Sequence, residues 1–193
     1  MRLSKPRLEP LAEDAIDPEI RGILAAGREA AGGHTLHIFA TLARHPKLLK
    51  RWLVFGNHVL AKNTLSPRER EMLILRTGWL CRAEYEWGQH VLIARGSGLS
   101  DEEIARIAQG PNAPGWTPRE AALLRAADEL HADSVIGDAT WGELRRELSE
   151  EQLLDVVFTV GQYTLVSMAL NSLGVQRDPG VPGFAETAPA RGT

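Results

Sequence analysis

Glu71, Glu86 and His90 are the residues whose types and spacing could do chemistry: two carboxyls and an imidazole within the largely apolar stretch EMLILRTGWLCRAEYEWGQH. Glu86 and His90 are four apart, so on a helix they share one face. Glu71 lies nine residues before Leu80, and the Glu86–His90 pair is centred about eight after it. A helical hairpin turning near Trp79–Arg82 therefore brings all three groups to one level. Burial lowers an imidazole pKa and raises a carboxyl pKa, whereas their mutual attraction does the reverse. That competition is how a site is poised for proton transfer near neutrality. The plainer alternative is an exposed i,i+4 pair contributing about 0.3–0.5 kcal/mol. Tyr85, Trp87, Val91, Leu92 and Ile93 leave this helix little polar surface, which favours a pair facing a cavity or an interface.

Other residues extend the candidate site. Arg76 is a candidate partner of Glu71 or anchor for an anionic substrate, since guanidinium binds carboxylate bidentately. His58, after Phe55-Gly56-Asn57, could line the same cavity, although a core or interface histidine is the ordinary explanation. Tyr85 and Trp87 flank Glu86 and complete the set of substrate-binding candidates. Glu71 ends the run Arg68-Glu69-Arg70-Glu71, whose other members read as the solvated first turn of a helix. His45 precedes Pro46 and marks a helix boundary. There is no HExxH, and Glu86 with His90 supplies too few ligands for a zinc or iron site, so no metal is expected. Cys81 has no activating base in its local sequence and reads as a small buried thiol. Gly96-Ser97-Gly98 ends a helix instead of following a strand, so it is not a dinucleotide fingerprint.

The elements that must position these groups are helical. Ser66–Glu69, Ser100–Glu103, Thr117–Glu120 and Ser149–Gln152 each have the spacing of a capping box. Pro67 and Pro118 fall at first helical positions, and Gly32–Gly33, Gly96–Gly98, Gly110 and Gly174 where helices should stop. No stretch shows the period of two that marks a half-buried strand. An all-α chain of about eight or nine helices is expected, over Pro18–Ala31, Leu36–Arg44, Lys47–Lys62, Pro67–Leu80, Glu84–Arg95, Asp101–Gln109, Pro118–His131, Ala139–Leu148 and Glu150–Leu173. Residues 1–16 read as an arm packed on the body or a neighbouring subunit, and residues 176–193, rich in Pro and Gly, as an irregular tail of a single domain spanning 1–193. Leu148–Ser149 echoes Leu65–Ser66 at an offset of 83 residues, suggesting a second helical pair with apolar residues in place of the chemical ones.

Bulk properties narrow the class. The 193 residues, 44% hydrophobic and 24% charged, suit an ordinary soluble globular domain. A net charge of -3 gives no reason to expect nucleic acid or an anionic membrane as partner. One cysteine permits no intrachain disulfide, and the N-terminus lacks the apolar run of a signal peptide. Leu153–Val175 is the most apolar segment, but Asp155, Gln162 and Asn171 make it a better buried helix than a membrane span. A cytoplasmic protein is expected.

His45-Pro46, Leu65-Ser66-Pro67-Arg68-Glu69-Arg70-Glu71, Ile74-Leu75-Arg76, Tyr85-Glu86-Trp87 and His90 together resemble the carboxymuconolactone decarboxylase family. Gly161, Tyr163 and the Asn171–Val175 ending resemble that family's closing helix. The resemblance implies an alkylhydroperoxidase D-like helical bundle, assembled as trimers or hexamers, with sites at subunit contacts. The peroxidase branch of the family carries a Cys-x-x-Cys pair shortly before a histidine. With that histidine matched to His90, the two cysteines fall on Ala83 and Glu86, so a dithiol cycle within one chain is unavailable. The resemblance therefore implies a decarboxylase-type enzyme acting on a small lactone or oxygenated carboxylic acid. In it His90 is the proton donor tuned by Glu86, Glu71 completes the relay, and Arg76 and His58 are anion binders. It needs no cofactor, because the substrate's own conjugation accepts the electrons. The reading from another class is a non-catalytic helical oligomer binding a small molecule or partner protein, with the three residues as a structural network. A cleft with His90 at its floor favours chemistry, and a sealed trio favours structure.

Overall fold

The computed structural model describes residues 3–188; residues 1–2 of the expected arm and 189–193 of the expected tail lie outside the described residues. Among the described residues there are ten α-helices and no strand: α1 (Pro18–Ala30), α2 (His37–Leu42), α3 (Pro46–Ala61), α4 (Pro67–Leu80), α5 (Glu84–Gly96), α6 (Asp101–Gln109), α7 (Pro118–Asp133), α8 (Asp138–Arg145), α9 (Glu150–Leu173) and α10 (Phe184–Thr187). The first nine occupy the spans expected from sequence, with ends displaced by at most three residues.

Local side-chain chemistry sets these boundaries. All four capping boxes form, opening α4, α6, α7 and α9. Each satisfies backbone donors that a bare helix start leaves unpaired. His45 caps α3 by accepting from the Leu48 amide. At the end of α4, the Ala83 amide reaches back to the Gly78 carbonyl and the Arg82 amide to that of Trp79, a Schellman turn. Its left-handed position belongs to Arg82, at φ 53°, where glycine is the usual occupant. A Cβ there crowds the following carbonyl. Arg82→Gly should therefore stabilise the protein by about 1 kcal/mol, which for a chain of this size raises the thermal midpoint by about 2–4 °C. A calorimetric midpoint that stays the same or falls contradicts strain at this turn.

Packing places α4 at the centre, against α5, α6, α7 and α9. Nine of its fourteen residues are buried, so its sequence shows little amphipathic contrast. Leu73 of α4 joins α7 and α9 in one apolar cluster, and Met72 and Leu75 join α5, α6 and α7 in another. α1, α2 and α3 form a third cluster around Ile20, Ala40 and Leu49.

The RERE run is not a solvated first turn. Arg68 pairs with Glu103 and Glu120, Glu69 with Arg119, and Arg70 with Glu71, tying α4 to α6 and α7. The echo at residue 148 is not a second hairpin either. α9 runs unbroken to Leu173, past the point that corresponds to the α4–α5 turn.

The described parts of the arm and of the tail both lie on the body. The arm is held where the Arg7 and Leu8 amides reach the Leu173 carbonyl and Leu11 pairs with Ala40. The tail is irregular over residues 176–183, as expected, and departs from that expectation only in the short helix α10. Buried Asp178 accepts from Tyr85 Oη (2.6 Å), Gln89 Nε2 (2.7 Å) and the His37 amide (2.9 Å). The segment then crosses α5 so closely that a Cβ on Gly88 would collide with the Pro182 carbonyl oxygen. α10 closes it, with Phe184 against Trp79 and Trp87. Proline and glycine content argues against regular structure, but Phe184 and Asp178 supply the buried contacts that order this segment.

Candidate functional site

The α4–α5 hairpin does bring the acids and the imidazole together. His90 Nδ1 lies 2.6 Å from Glu71 Oε2 and Nε2 lies 3.0 Å from Glu86 Oε1. Glu71 is 0% exposed, Glu86 4% and His90 5%. Each ring nitrogen faces a carboxylate oxygen, so both donate and the ring is held as an imidazolium. Burial opposes that charge, but Glu71 first and Glu86 next outweigh it, pushing the His90 pKa up to about 10. Burial likewise raises Glu71, and the His90 and Arg70 charges together overcome it, holding this carboxyl below its usual range.

Two residues beyond the sequence-based set join the trio. Arg70 Nε reaches the other Glu71 oxygen, Oε1, at 3.0 Å, so the run read as solubilising supplies the site's cation. Tyr163 of α9 meets the His90 ring edge-on, at 4.9 Å between centroids and 86° between planes. Burial, then Glu86 and Glu71, raise its phenol pKa well above the ordinary value. The only sequence signal for Tyr163 was its place in the closing helix; which face of α9 it occupies is fixed by packing. Arg70, Glu71, His90 and Glu86 comprise two cations and two anions, so the cluster is neutral overall.

The remaining expected site residues sit elsewhere. The Arg76 guanidinium holds Asp128 with two nitrogens and the Ile107 and Ala108 carbonyls with a third, clamping α6 and α7 onto α4. Its donors are used in the core, which corrects the anion-binding role expected for it. His58 is exposed on α3, lining a surface cavity with Phe55, Lys62 and Phe158 rather than the trio. Tyr85 is turned to Asp178 and the Ile38 amide, and Trp87 donates through Nε1 to Thr187 Oγ1. Both anchor the C-terminal segment; alternation around α5 points them away from the face that carries Glu86 and His90. Cys81 is half-buried with Sγ 3.6 Å from His131 Nδ1, a base brought by α7 that local sequence could not reveal. Five cavities among the described residues are lined by other groups, none by Glu71, Glu86 or His90. Among the described residues no group of three or more His, Cys, Asp or Glu side chains is arranged to hold a metal ion.

Residues 46–129, which contain the trio, match the model of the carboxymuconolactone decarboxylase family. The fold is that of an uncharacterized peroxidase-related protein with an alkylhydroperoxidase AhpD core from Ralstonia eutropha JMP134, with a TM-score of 0.80 at 21% identity over 91% of this chain and 95% of that one. The match to the family model thus spans the helices that carry the trio, and the whole fold is AhpD-like. A second solved structure, an uncharacterized peroxidase-related protein from Silicibacter sp. TM1040, gives a TM-score of 0.80 at 15% identity, over 93% of this chain and 97% of that one. A single-residue variant of the debrominase Bmp8, in complex with 2,3,4-tribromopyrrole, gives 0.78 at 13% identity, over 91% and 94%, so this fold includes enzymes. No curated protein sequence matches the chain. Of the two positions where the sequence resemblance sets paired cysteines, Ala83 is the N-cap of α5 and Glu86 is bonded to His90.

Proposed function

We propose that the protein is a cofactor-independent acid–base enzyme of the decarboxylase or lyase type, acting on a small lactone or oxygenated carboxylic acid. The observation that carries this reading is the imidazolium held between two carboxylates in the core of the α4–α5 hairpin. Stability does not require such an arrangement, since well-packed apolar residues commonly replace buried ion groups at no loss. Perturbed, coupled groups of this kind cluster at functional sites. With both ring nitrogens engaged, His90 acts as the proton store and Glu86 as the group through which the proton leaves. Glu71, fixed by Arg70, holds the ring charged and in register. Decarboxylation leaves an enolate that must be reprotonated, and a charged acid chain supplies that proton. The neutral cluster presents no net repulsion to an anionic substrate. A thiol peroxidase is disfavoured, because Cys81 is the single cysteine.

The second reading, a helical binding protein with a structural trio, is favoured by the near-complete burial of the three groups and by the five cavities that avoid them. A panel of lactones and β-keto acids, scored for carbon dioxide release by wild type and Glu86→Gln, separates the two. Release by wild type that drops in the variant supports the enzyme. Silence across the panel, with both proteins folded, favours the binding protein.

A further inference from the structure

α9 is packed on one side and bare on the other. Leu154, Phe158, Leu165 and Met168 are 53–64% exposed, and Val157 is also exposed. At about 100° per residue these side chains and Gly161 fall within a stripe about 100° wide. The stripe has internal symmetry about Gly161: Val157 and Leu165 stand four residues to either side, and Leu154 and Met168 seven. A glycine inside a helix costs about 1 kcal/mol relative to alanine. Nothing among the described residues requires this one, since a Cβ on Gly161 would meet no atom within 4 Å. Glycine does serve one purpose there, which is to let another helix backbone approach closely.

We propose that α9 lies antiparallel against α9 of a second copy of this chain, across a two-fold axis at Gly161. That orientation sets Leu154 of each copy opposite Met168 of the other, and Val157 opposite Leu165. A two-fold contact is self-complementary, so one stripe supplies both sides. The charges at its border agree. The N-terminal half of α9 carries exposed Glu150 and Glu151. Its C-terminal half runs beside the start of α3, sharing an apolar cavity through Leu48, Trp52, Leu165 and Ala169. Lys47 and Arg51 are exposed at that end of α3. Antiparallel pairing therefore brings the acidic end of one copy to the basic end of the other. Phe55 of α3, edge-on to Phe158 at 6.2 Å, widens the apolar surface at the opposite end. A two-fold axis requires an even-numbered assembly, a dimer or a hexamer but not an isolated trimer.

α9 also has the length and mean hydropathy, 1.5, of a membrane span, but half of that apolar window is buried. Gln162 and Ser167 face the core, and the acidic end would meet anionic lipid unfavourably. A protein partner fits better. This inference is independent of the acid–base reading.

Sedimentation velocity on the full-length protein tests it. Wild type should sediment as a dimer or hexamer, and Gly161→Leu, at a position open in the single chain, should weaken self-association by more than about tenfold. Orientation is tested in a Cys81→Ser background with Leu154→Cys and Met168→Cys made separately. Oxidation should give disulfide-linked dimers when the two variants are mixed, and not from either alone. A wild-type monomer at tens of micromolar, an isolated trimer, self-association untouched by Gly161→Leu, or cross-links within either variant alone overturns the proposal. So does a monomer that co-sediments with phosphatidylcholine/phosphatidylserine vesicles and loses that binding on Leu165→Glu, because the face would then belong to lipid.

Discussion

His90→Ala should lower carbon dioxide release from the accepted substrate at least about a hundredfold, within the 10²–10⁴ range that a positioned acid or base contributes. The loss should appear in kcat, because His90 reaches the reacting centre through Glu86 and adds nothing to ground-state binding. The variant separates Glu86 from Glu71 and leaves two carboxylates buried without the cation between them, so neither can act as a charged acid. Circular dichroism on the same samples checks that the helical bundle persists. Unchanged turnover in a folded His90→Ala protein removes the imidazole from the mechanism and leaves Glu86 to act alone.

Glu71→Ala should cost the folded state about 3–5 kcal/mol, the usual result of removing one member of a buried ion pair. It strips His90 of its shorter hydrogen bond and leaves Arg70, mostly buried, without the partner it holds at 3.0 Å. Thermal denaturation should show a midpoint about 6–20 °C lower. The pH dependence gives a sharper check. The His90 pKa is raised in the folded state, so its contribution is complete below the ordinary value of 6.5 and is lost as pH climbs to about 10. Glu71 is lowered from 4.5, so its contribution is present above 4.5 and disappears as pH falls through the folded value. Wild type should therefore be most stable between these limits and decline on both sides. Glu71 is the larger upward influence on His90, so Glu71→Ala should flatten the alkaline limb as well as lower the plateau. An alkaline limb equally steep in both proteins would show that the Glu71–His90 pair is not the titrating element.

Both expected results depend on a hairpin whose register could be read from residue spacing. Glu71, Glu86 and His90 meet because α4 and α5 are similar in length and joined by a short turn, both of which follow from local sequence. The four Ser/Thr–Glu/Gln boxes fixed helix starts for the same reason: a side chain capping its own helix acts over three residues and needs no distant partner.

Long-range partners were not legible in this way. Arg76 is a buried arginine in a helix whether it serves a substrate or Asp128, and only the packing of α6 and α7 decided for Asp128 and two carbonyls. Tyr85 and Trp87 flank Glu86 in sequence but face the C-terminal segment, because adjacent residues on a helix point about 100° apart. That segment lacks helical periodicity and becomes ordered through Asp178, Gly88 and Phe184, contacts made some 90 residues from their partners in the chain. Sequence alone thus determined the first nine helices, their boundaries to within three residues and the acid–imidazole trio, since periodicity, capping and i,i+4 spacing are short-range. Tertiary structure decided the inward faces of α4 and α9. It thereby recruited Tyr163 to the trio, set Arg70 against Glu71, and left the Leu154–Met168 stripe bare, because burial is settled by what packs against a helix from elsewhere in the chain.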